Sequence, residues 1–439
     1  MKKKDVSVGF VALGCAKNTV DLQVMAGHII KAGYRAAPSP EEADVILVNT
    51  CAFIESAREE AAAEILRACE LKKAGACRAV IVSGCFVQRY KGDLAKLFPD
   101  VDAFLGIDAL DRICDVLDGA TGRMVVPPGQ AKKVFDPPIA ALRFSGAAFA
   151  YVKIAEGCAH RCAYCAIPAI RGKYRSRAKE SIVAEARELV KTGCRELNII
   201  AQDPMLYGID LGKGKGAGLV ELLRELDAIK GDFWIRVLYS YPNEITDGFL
   251  EWMRTSPHAA RYVDVPLQHT VPEVLAAMNR REAIEASLGA AERIRAAVPG
   301  VTLRTTVMTG HPGETEKRFE RMLADLEKMQ FDHLGAFAYS PEDGTKAAEM
   351  RRVSKQTAEV RMELVMLLQK RIWRKCAKAL RGKTFKALVI APGVARIEGQ
   401  APEVDGVTFV DGAAETGKFI RVRITKTRGY DLEGEVADD

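Results

Sequence analysis

Three cysteines stand close together in EGCAHRCAYC, which covers residues 156–165. Cys158, Cys162 and Cys165, here called the motif cysteines, are separated by three and by two residues. An odd number of thiols does not suit disulfides, and a closed structural zinc site needs four ligands. A four-iron cluster offers one position per iron, so three thiolates leave one iron open. The spacing therefore predicts a reactive iron–sulfur site, with a structural zinc or ferredoxin-like site as the alternative.

Three further cysteines, here called the N-terminal cysteines, each follow a predicted strand. They are Cys15, Cys51 and Cys85, in the sequences LGC, NTC and SGC. Parallel strands end at one edge of a sheet, where ligands bind, and Gly14 and Gly84 would let the backbone pass close to a bound group. Each cysteine taken alone could be a small core residue. Their matching placement predicts a second three-cysteine cluster.

The elements around these cysteines predict an α/β chain with three domains and a linker. Apolar runs alternate with helical patterns over residues 1–126, which indicates a doubly wound parallel sheet. Residues 127–147, rich in proline and lysine, are typical of a linker. Six strand–helix units within residues 148–377 predict a partial (βα)6 barrel with its chemistry at the carboxyl ends of the strands. Short strands in residues 378–439, separated by glycine, proline and aspartate, predict a small antiparallel β-barrel.

The positive charge of the chain is concentrated in one segment. The net charge is +6, but residues 351–380 contain nine basic and two acidic residues, whereas residues 381–439 have a net charge of −1. The basic segment also has apolar residues at helical spacing, so we expect a helix there. That helix is either a solvated basic face or a surface for ribosomal RNA.

The bulk composition places the chain in a reducing compartment. Its 439 residues include eleven cysteines, and no export signal or apolar run of membrane-spanning length accompanies them. Thiols outside the secretory route remain free for metals or catalysis. We therefore expect a cytoplasmic protein without membrane contact.

The motif cysteines, at the end of the first predicted barrel strand, resemble the radical S-adenosylmethionine superfamily. The resemblance implies that the amino and carboxylate groups of the cofactor chelate the open iron, and that its cleavage yields a 5′-deoxyadenosyl radical. The two cysteine sets and the small β domain together resemble the methylthiotransferase family along essentially the whole chain. This implies S-adenosylmethionine and two 4Fe-4S clusters as cofactors. Both cysteine sets would be metal ligands, and the motif cysteines would be catalytic.

Stretches such as IAQDPMLYG, VDVPLQH and RTTVMTGHPGET resemble the RimO-type members of that family. Those enzymes methylthiolate an aspartate of small-subunit ribosomal protein S-twelve. The resemblance therefore implies that ribosomal protein S-twelve or the small ribosomal subunit is a partner, together with a sulfur donor and a reductant. Alternatives are a methylthiotransferase acting on tRNA adenosine, another sulfur-inserting radical enzyme, and a non-catalytic ribosome- or RNA-binding protein with structural clusters.

The C-terminal β domain resembles the TRAM domain of RNA-modifying enzymes. A TRAM domain that binds tRNA should be basic because phosphate contacts dominate such affinity. The negative charge of this one makes tRNA the less favoured substrate and suits a basic ribosomal protein. The acidic residues counted for this purpose are Glu398, Glu403, Asp405, Asp411 and Glu415.

Candidate cofactor contacts follow from position within the resemblance. They are Tyr164, Gln202, Asp203, Arg304, Gly310 and Glu314. Three departures from the family pattern accompany them: Ala16 replaces a proline, His311 replaces a phenylalanine, and AQD replaces a pair of glycines after the second barrel strand.

Overall fold

The computed structural model describes residues 3–127, 129–137, 143–144, 148–412 and 415–437. It divides into two compact units. The first unit comprises Met1–Ser145, Lys153–Arg161 and Cys165–Glu185, and the second comprises Gly146–Val152, Cys162–Tyr164 and Ala186–Asp439. Part of the predicted linker, at residues 128, 138–142 and 145–147, lies outside the described residues.

The strands alternate with helices until the C-terminal domain. The strands are β1 (Ser7–Ala12), β2 (Arg35–Ala36), β3 (Val45–Thr50), β4 (Ala79–Gly84), β5 (Ala103–Leu105), β6 (Met124–Val125), β7 (Phe149–Lys153), β8 (Ala155–Glu156), β9 (Arg175–Ser176), β10 (Glu196–Ile200), β11 (Trp234–Val237), β12 (Tyr262–Asp264), β13 (Thr302–Thr309), β14 (His333–Ala338), β15 (Thr384–Ala391), β16 (Val394–Ile397), β17 (Thr408–Asp411), β18 (Phe419–Arg428) and β19 (Asp431–Val436). The helices are α1 (Ala16–Lys31), α2 (Glu55–Lys73), α3 (Cys85–Tyr90), α4 (Gly92–Leu97), α5 (Ile113–Leu117), α6 (Ile167–Arg171), α7 (Lys179–Lys191), α8 (Ala217–Asp227), α9 (Asp247–Thr255), α10 (Pro272–Ala277), α11 (Ile284–Ala297), α12 (Glu316–Met329) and α13 (Lys355–Lys378).

The first unit contains the predicted doubly wound parallel sheet, with strand order β2-β1-β3-β4-β5-β6. Alternate residues of β3 point to opposite faces, as the strand period requires. Leu47 packs with Met25 of α1, and Ile46 packs with Ile65 of α2. Helices therefore cover both faces, and the fold prediction for this region is confirmed. A short antiparallel ribbon of β8 and β9, which was not predicted, also belongs to this unit.

The second unit contains the predicted barrel strands in chain order. Strands β7, β10 and β11 are neighbours in one sheet, and β12, β13 and β14 are neighbours in another. A parallel bridge joins Ile235 of β11 to Ala259, three residues before β12. Loops after the carboxyl ends of parallel strands are where such folds build their active sites. Both the strands and their alternation with helices confirm the prediction.

The end of the chain forms a long helix followed by a closed β-barrel. Helix α13 covers most of the basic segment, and its N-cap is Ser354, whose hydroxyl accepts a hydrogen bond from Thr357 N at 3.0 Å. The barrel has the strand order β15-β16-β17-β19-β18. Four of its pairs are antiparallel, and β17 with β19 is parallel. Within the described ranges, no helix has both the length and the apolar character needed to cross a bilayer.

Candidate iron–sulfur and cofactor sites

The N-terminal cysteines lie at the carboxyl ends of three neighbouring strands, as predicted. Cys15 follows β1 and is the N-cap of α1, Cys51 follows β3 directly, and Cys85 begins α3 directly after β4. Cys51 and Cys85 are buried, whereas Cys15 is exposed. The set therefore has two thiols inside the unit and one at its surface.

Two glycines bring the backbone against this edge of the sheet. Gly14 has a φ of +92°, and a Cβ there would lie 2.6 Å from the Cβ of Cys51 and 3.2 Å from its Sγ. Gly84 has a φ of +103°, and a Cβ there would clash with the carbonyl oxygen of Thr50. Any other residue at either position would be strained and would displace the cysteine loops.

The side chain of Asn18 connects all three cysteine loops. Its Nδ2 donates to the carbonyl oxygens of Leu13, at 3.2 Å, and Thr50, at 2.9 Å. Its Oδ1 accepts from the Sγ of Cys85 at 3.4 Å, and its backbone N–H donates to the oxygen of Cys15 at 2.8 Å. One buried amide therefore sets the relative positions of the backbone before Cys51, the loop of Cys15 and the thiol of Cys85.

Arg171 brings a positive charge to the same place. Its Nη2 donates to the Sγ of Cys85 at 3.3 Å and to the Oδ1 of Asn18 at 2.6 Å. The side chain of Arg171 is 1% exposed, so little water screens the contact. Sequence analysis missed this residue, which lies 86 positions from Cys85.

Arg171 belongs to a buried charge network of four residues, namely Asp21, Lys153, Glu156 and Arg171. Arg171 pairs with Asp21 at 2.8 Å and with Glu156 at 3.0 Å, and Lys153 contacts both carboxylates. Burial alone would raise the pKa of Glu156, but the charges of Lys153 and Arg171 outweigh it and hold that pKa below its usual range. Two cations and two anions thus balance inside the first unit.

For Cys51 and Cys85, burial is the largest influence on the pKa. It raises the pKa of Cys85 to about 12, and the Arg171 guanidinium opposes this increase. Burial also raises the pKa of Cys51, and the nearby Cys15 adds to the increase. These two thiols are therefore protonated at neutral pH without metal, and iron binding must release their protons.

The residues of this edge fit an iron–sulfur cluster better than a single metal ion. In the described part of the chain, no three His, Cys, Asp or Glu side chains converge closely enough to hold one ion. A cubane does not need such convergence, because each thiolate binds a different iron. Three thiols on separate loops, two close-approach glycines and a buried arginine on sulfur match that requirement.

The motif cysteines lie on the loop between β8 and α6, and all three are half-buried. Cys158 and Cys165 belong to the first unit, and Cys162 belongs to the second. In the second unit, the Nη1 of Arg280 lies 3.8 Å from the Sγ of Cys162. The Arg280 guanidinium also stacks on Tyr241, 4.1 Å from the ring centroid. Each cysteine set therefore has a buried arginine beside one of its thiols.

Three candidate cofactor contacts have protein partners of their own. Asp203 caps a short 3-10 helix by accepting from Met205 N at 3.1 Å. Arg304 forms ion pairs with Asp264 at 3.7 Å and Asp405 at 3.4 Å. Glu314 accepts from Gly310 N and from Arg361, both at 2.8 Å. These contacts give each residue a structural role, and cofactor binding by these three residues stays a prediction.

Other groups after the barrel strands do lack partners. Four buried polar atoms without a hydrogen bond in the described structure lie just beyond β10, β11, β13 and β14, at Gln202 Oε1, Ser240 Oγ, His311 Nε2 and Tyr339 Oη. Tyr164 is buried with its ring edge-on to His311, 6.2 Å between centroids. Of these residues, Gln202 and Tyr164 were predicted as contacts, and Ser240 and Tyr339 were not. Orphaned polar atoms at one end of a barrel suit a polar ligand such as S-adenosylmethionine.

The acidic residues of the C-terminal barrel are less available than their count suggests. The side chain of Asp405 is 2% exposed and accepts from Tyr262 Oη at 2.6 Å. Glu403 accepts from Tyr151 Oη at 2.5 Å, and Glu398 accepts from Arg261 N at 2.6 Å. Three of the five carboxylates thus hold the barrel against strands and loops of the same unit, and Asp411 is exposed.

Family models match all three regions of the chain. Residues 7–106 match the uncharacterized protein family UPF0004, residues 152–326 match the radical SAM superfamily, and residues 382–437 match the TRAM domain. Ribosomal protein uS12 methylthiotransferase RimO of Syntrophus aciditrophicus is 42% identical over 99% of this chain and 99% of its own length. The chain belongs to the RimO family.

Further relatives with the same name come from Geobacter sulfurreducens, 41% identical over 99% of this chain and 100% of that protein, and from Opitutus terrae, 40% identical over 97% and 96%. Among solved structures, the radical S-adenosylmethionine methyltransferase TsrM from Kitasatospora setae, with cobalamin and a 4Fe-4S cluster bound, is similar with a TM-score of 0.55. It is 15% identical and covers 90% of this chain and 77% of that one. This likeness concerns the fold. As a RimO-family radical SAM enzyme, the chain is a methylthiotransferase that uses S-adenosylmethionine and two 4Fe-4S clusters.

Proposed function

We propose that this chain attaches a methylthio group to an aspartate of ribosomal protein uS12. The supporting observation is the similarity to the uS12 methylthiotransferases over at least 97% of the chain, which includes both cysteine sets and the TRAM region. A similarity confined to the barrel would support only radical chemistry of some kind. The three alternative functions are therefore less favoured: methylthiotransfer to tRNA adenosine, another sulfur-inserting radical reaction, and non-catalytic binding of ribosomes or RNA.

We assign one cluster to each cysteine set. When bound, the clusters and S-adenosylmethionine would supply the sulfur, the methyl group and the radical that replace a C–H bond of the substrate with a C–S bond. The chain itself would supply three thiolate ligands to each cluster, which leaves one iron of each cluster without a cysteine ligand. Asn18 and the two close-approach glycines keep the N-terminal ligands in place before the cluster forms.

The cofactor contacts we propose are Gln202 and Tyr164, joined by Ser240 and Tyr339. Their buried polar atoms or rings lie beyond the carboxyl ends of the barrel strands. Gly310 gives the turn after β13 its positive φ of +75° and donates to Glu314, so this pair fixes the conformation of that turn. Asp203 and Arg304 support the same region from within the fold.

The reaction also requires partners that supply what the chain lacks. Inserting sulfur consumes a sulfur atom, so a sulfur donor is needed, and cleavage of S-adenosylmethionine requires a one-electron reductant. The uS12 protein alone or the small ribosomal subunit would be the substrate, in the cytoplasm. Helix α13 is a candidate for contact with ribosomal RNA, because most of its lysines and arginines are exposed.

The proposed function is tested by anaerobic reconstitution with iron and sulfide, followed by incubation with S-adenosylmethionine and a reductant. Ribosomal proteins, small subunits and tRNA serve as parallel substrates, and mass spectrometry detects the products. We expect a methylthio group on one aspartate of uS12 and unmodified tRNA. Methylthiolated adenosine in tRNA, with unmodified uS12, would assign the chain to the tRNA branch.

A further inference from the structure

Arg171 is the residue of the first unit whose position the fold and the proposed chemistry leave least explained. A buried arginine costs free energy unless it is paired, and two carboxylates would satisfy this one. Its Nη1 is satisfied by Glu156, with distances of 3.0 and 3.1 Å. Its Nη2 lies within hydrogen-bond distance of Asn18 at 2.6 Å, Asp21 at 2.8 Å and Cys85 at 3.3 Å. The second half of the guanidinium therefore contacts a thiol of the N-terminal cysteines in addition to a carboxylate.

We propose that Arg171 is a positioning residue for the N-terminal iron–sulfur cluster, where it donates a hydrogen bond to the Cys85 thiolate and stabilises the reduced cluster. The proposal rests on the assignment of a cluster to the N-terminal cysteines. It concerns how this chain holds that cluster, and it requires no contact between Arg171 and the substrate.

The charge balance of the network supports this role. The two positive charges of Lys153 and Arg171 balance the two negative charges of Asp21 and Glu156. The network is therefore neutral before any thiolate forms. Metal binding to Cys85 then adds negative charge 3.3 Å from Arg171. A guanidinium donates well to an anion, and its fixed fork holds sulfur, amide and carboxylate at once.

The hydrogen bond from Arg171 to Cys85 should affect the reduction potential of the N-terminal cluster. Hydrogen bonds to cluster sulfurs and nearby positive charge raise the reduction potential, because the reduced cluster carries one more negative charge. Loss of Arg171 should therefore lower the midpoint potential of the N-terminal cluster. A residue that only stabilises the fold would change the unfolding temperature and leave the potential where it was.

The network also connects Arg171 to the loop of the motif cysteines within the first unit. Glu156 precedes Cys158 by two residues, and Cys158 N donates to the oxygen of Gly172, the residue after Arg171, at 3.2 Å. The same side chain that contacts Cys85 is therefore anchored where the second cysteine motif begins. Within the first unit, Arg171 thus links Cys85 to the segment that leads to Cys158.

The test uses the full chain with the motif cysteines replaced by alanine, so that the N-terminal cluster alone contributes iron and spectra. Arg171→Met is compared with the parent for iron content, electron paramagnetic resonance of the reduced cluster and midpoint potential. Arg171→Met/Glu156→Gln keeps the remaining network neutral with Lys153 and Asp21. This second variant isolates the missing donor to Cys85 from the change in buried charge.

Arg177→Met provides a matched control. Arg177 is as buried as Arg171, lies in the same unit and is ion-paired with Asp136 and Glu185, at 2.9 and 2.7 Å. Its guanidinium also donates to the backbone oxygen of Lys153 at 2.7 Å. We expect both Arg171 variants to shift the potential downward and alter the resonance spectrum, and Arg177→Met to change neither.

The outcomes separate this proposal from the proposed function. A double variant with full iron, the parent potential and the parent spectrum overturns the role of Arg171 and leaves the cluster assignment standing. A shift of equal size in Arg177→Met also overturns it, because the effect would then follow from general loosening. If the parent protein with intact Arg171 binds no iron, the cluster assignment fails and the proposal falls with it.

Discussion

Replacing His311 by phenylalanine should stabilise the second unit at acidic pH and change it little at neutral pH. His311 is fully buried, and its Nδ1 lies 2.8 Å from the carbonyl oxygen of Pro312. A carbonyl can only accept, so Nδ1 carries the proton and Nε2, which has no partner, is the site of further protonation. At neutral pH, the substitution removes the unpaired Nε2 of His311 but leaves the carbonyl oxygen of Pro312 without its donor. We therefore expect the free energy of unfolding to change by no more than about 1 kcal/mol.

The pH dependence follows from the pKa of this imidazole. Burial lowers the pKa of His311 from 6.5 to about 4, and the Pro312 carbonyl only partly opposes this. The unfolded chain therefore binds a proton between these values that the folded chain does not. Wild-type stability is fully present above pH 6.5 and falls as the pH decreases toward 4. The largest loss of unfolding free energy that this one imidazole can cause is about 3.4 kcal/mol. Between pH 7.5 and 5.5 the expected loss is about 1.3 kcal/mol.

Tryptophan fluorescence monitors the unfolding of the second unit, which contains His311. The chain has three tryptophans, Trp234, Trp252 and Trp373, and all belong to the second unit with His311. Urea unfolding at pH 7.5 and 5.5, without oxygen, should give His311→Phe a loss smaller than wild type by about 1.3 kcal/mol. Carboxylates that titrate in the same range affect both proteins and cancel in the comparison.

A second substitution separates titration from packing. His311→Gln cannot titrate but remains polar, so it should show the same weakened pH dependence with a different stability at pH 7.5. If wild type and both variants lose equal stability between the two pH values, the imidazole is not held neutral by burial and the reasoning is wrong.

Four further predictions concern the clusters and the C-terminal domain. Alanine at the motif cysteines should halve the iron and abolish formation of 5′-deoxyadenosine, and continued formation would refute their role. Alanine at the N-terminal cysteines should remove the other half and retain cofactor cleavage, whereas methylthiotransfer without them would refute their assignment. Asp405→Asn should cost about 3–5 kcal/mol in urea unfolding, because Arg304 would lose a buried anionic partner. Neutral substitutions of the exposed basic residues of α13 should weaken binding to ribosomal particles and reduce its salt dependence, and unchanged binding would identify a solvated face.

The strands and the placement of the cysteines could be predicted because they depend on short-range patterns. Apolar runs such as DVILVNT mark buried parallel strands, and alternation with helical patterns fixes the layer order. Cys51 and Cys85 follow two such runs directly, so the common edge of the sheet brings them together. The small ribbon of β8 and β9 escaped prediction because strands of two residues leave no periodicity.

The buried charge network could not be predicted from spacing, since its members come from distant segments. Asn18 and Cys85 are 67 positions apart, and Asn18 and Arg171 are 153 apart. One signal was present: Lys153 and Glu156 interrupt an apolar stretch that leads into the motif cysteines. Charges in a buried strand must be paired, so they indicate a network even though they do not identify its other members.

The charge of the C-terminal barrel shows a second limit of counting residues. Its net charge of −1 favours a basic protein over tRNA, but Asp405, Glu403 and Glu398 are engaged with Tyr262, Tyr151 and Arg261 N. Carboxylates that accept hydrogen bonds inside the fold contribute less to long-range attraction than free ones. The preference for uS12 therefore depends on the family relationship along the whole chain. If charge also contributes, exposed residues such as Asp411 must carry it, since the other three carboxylates already accept hydrogen bonds from the same unit.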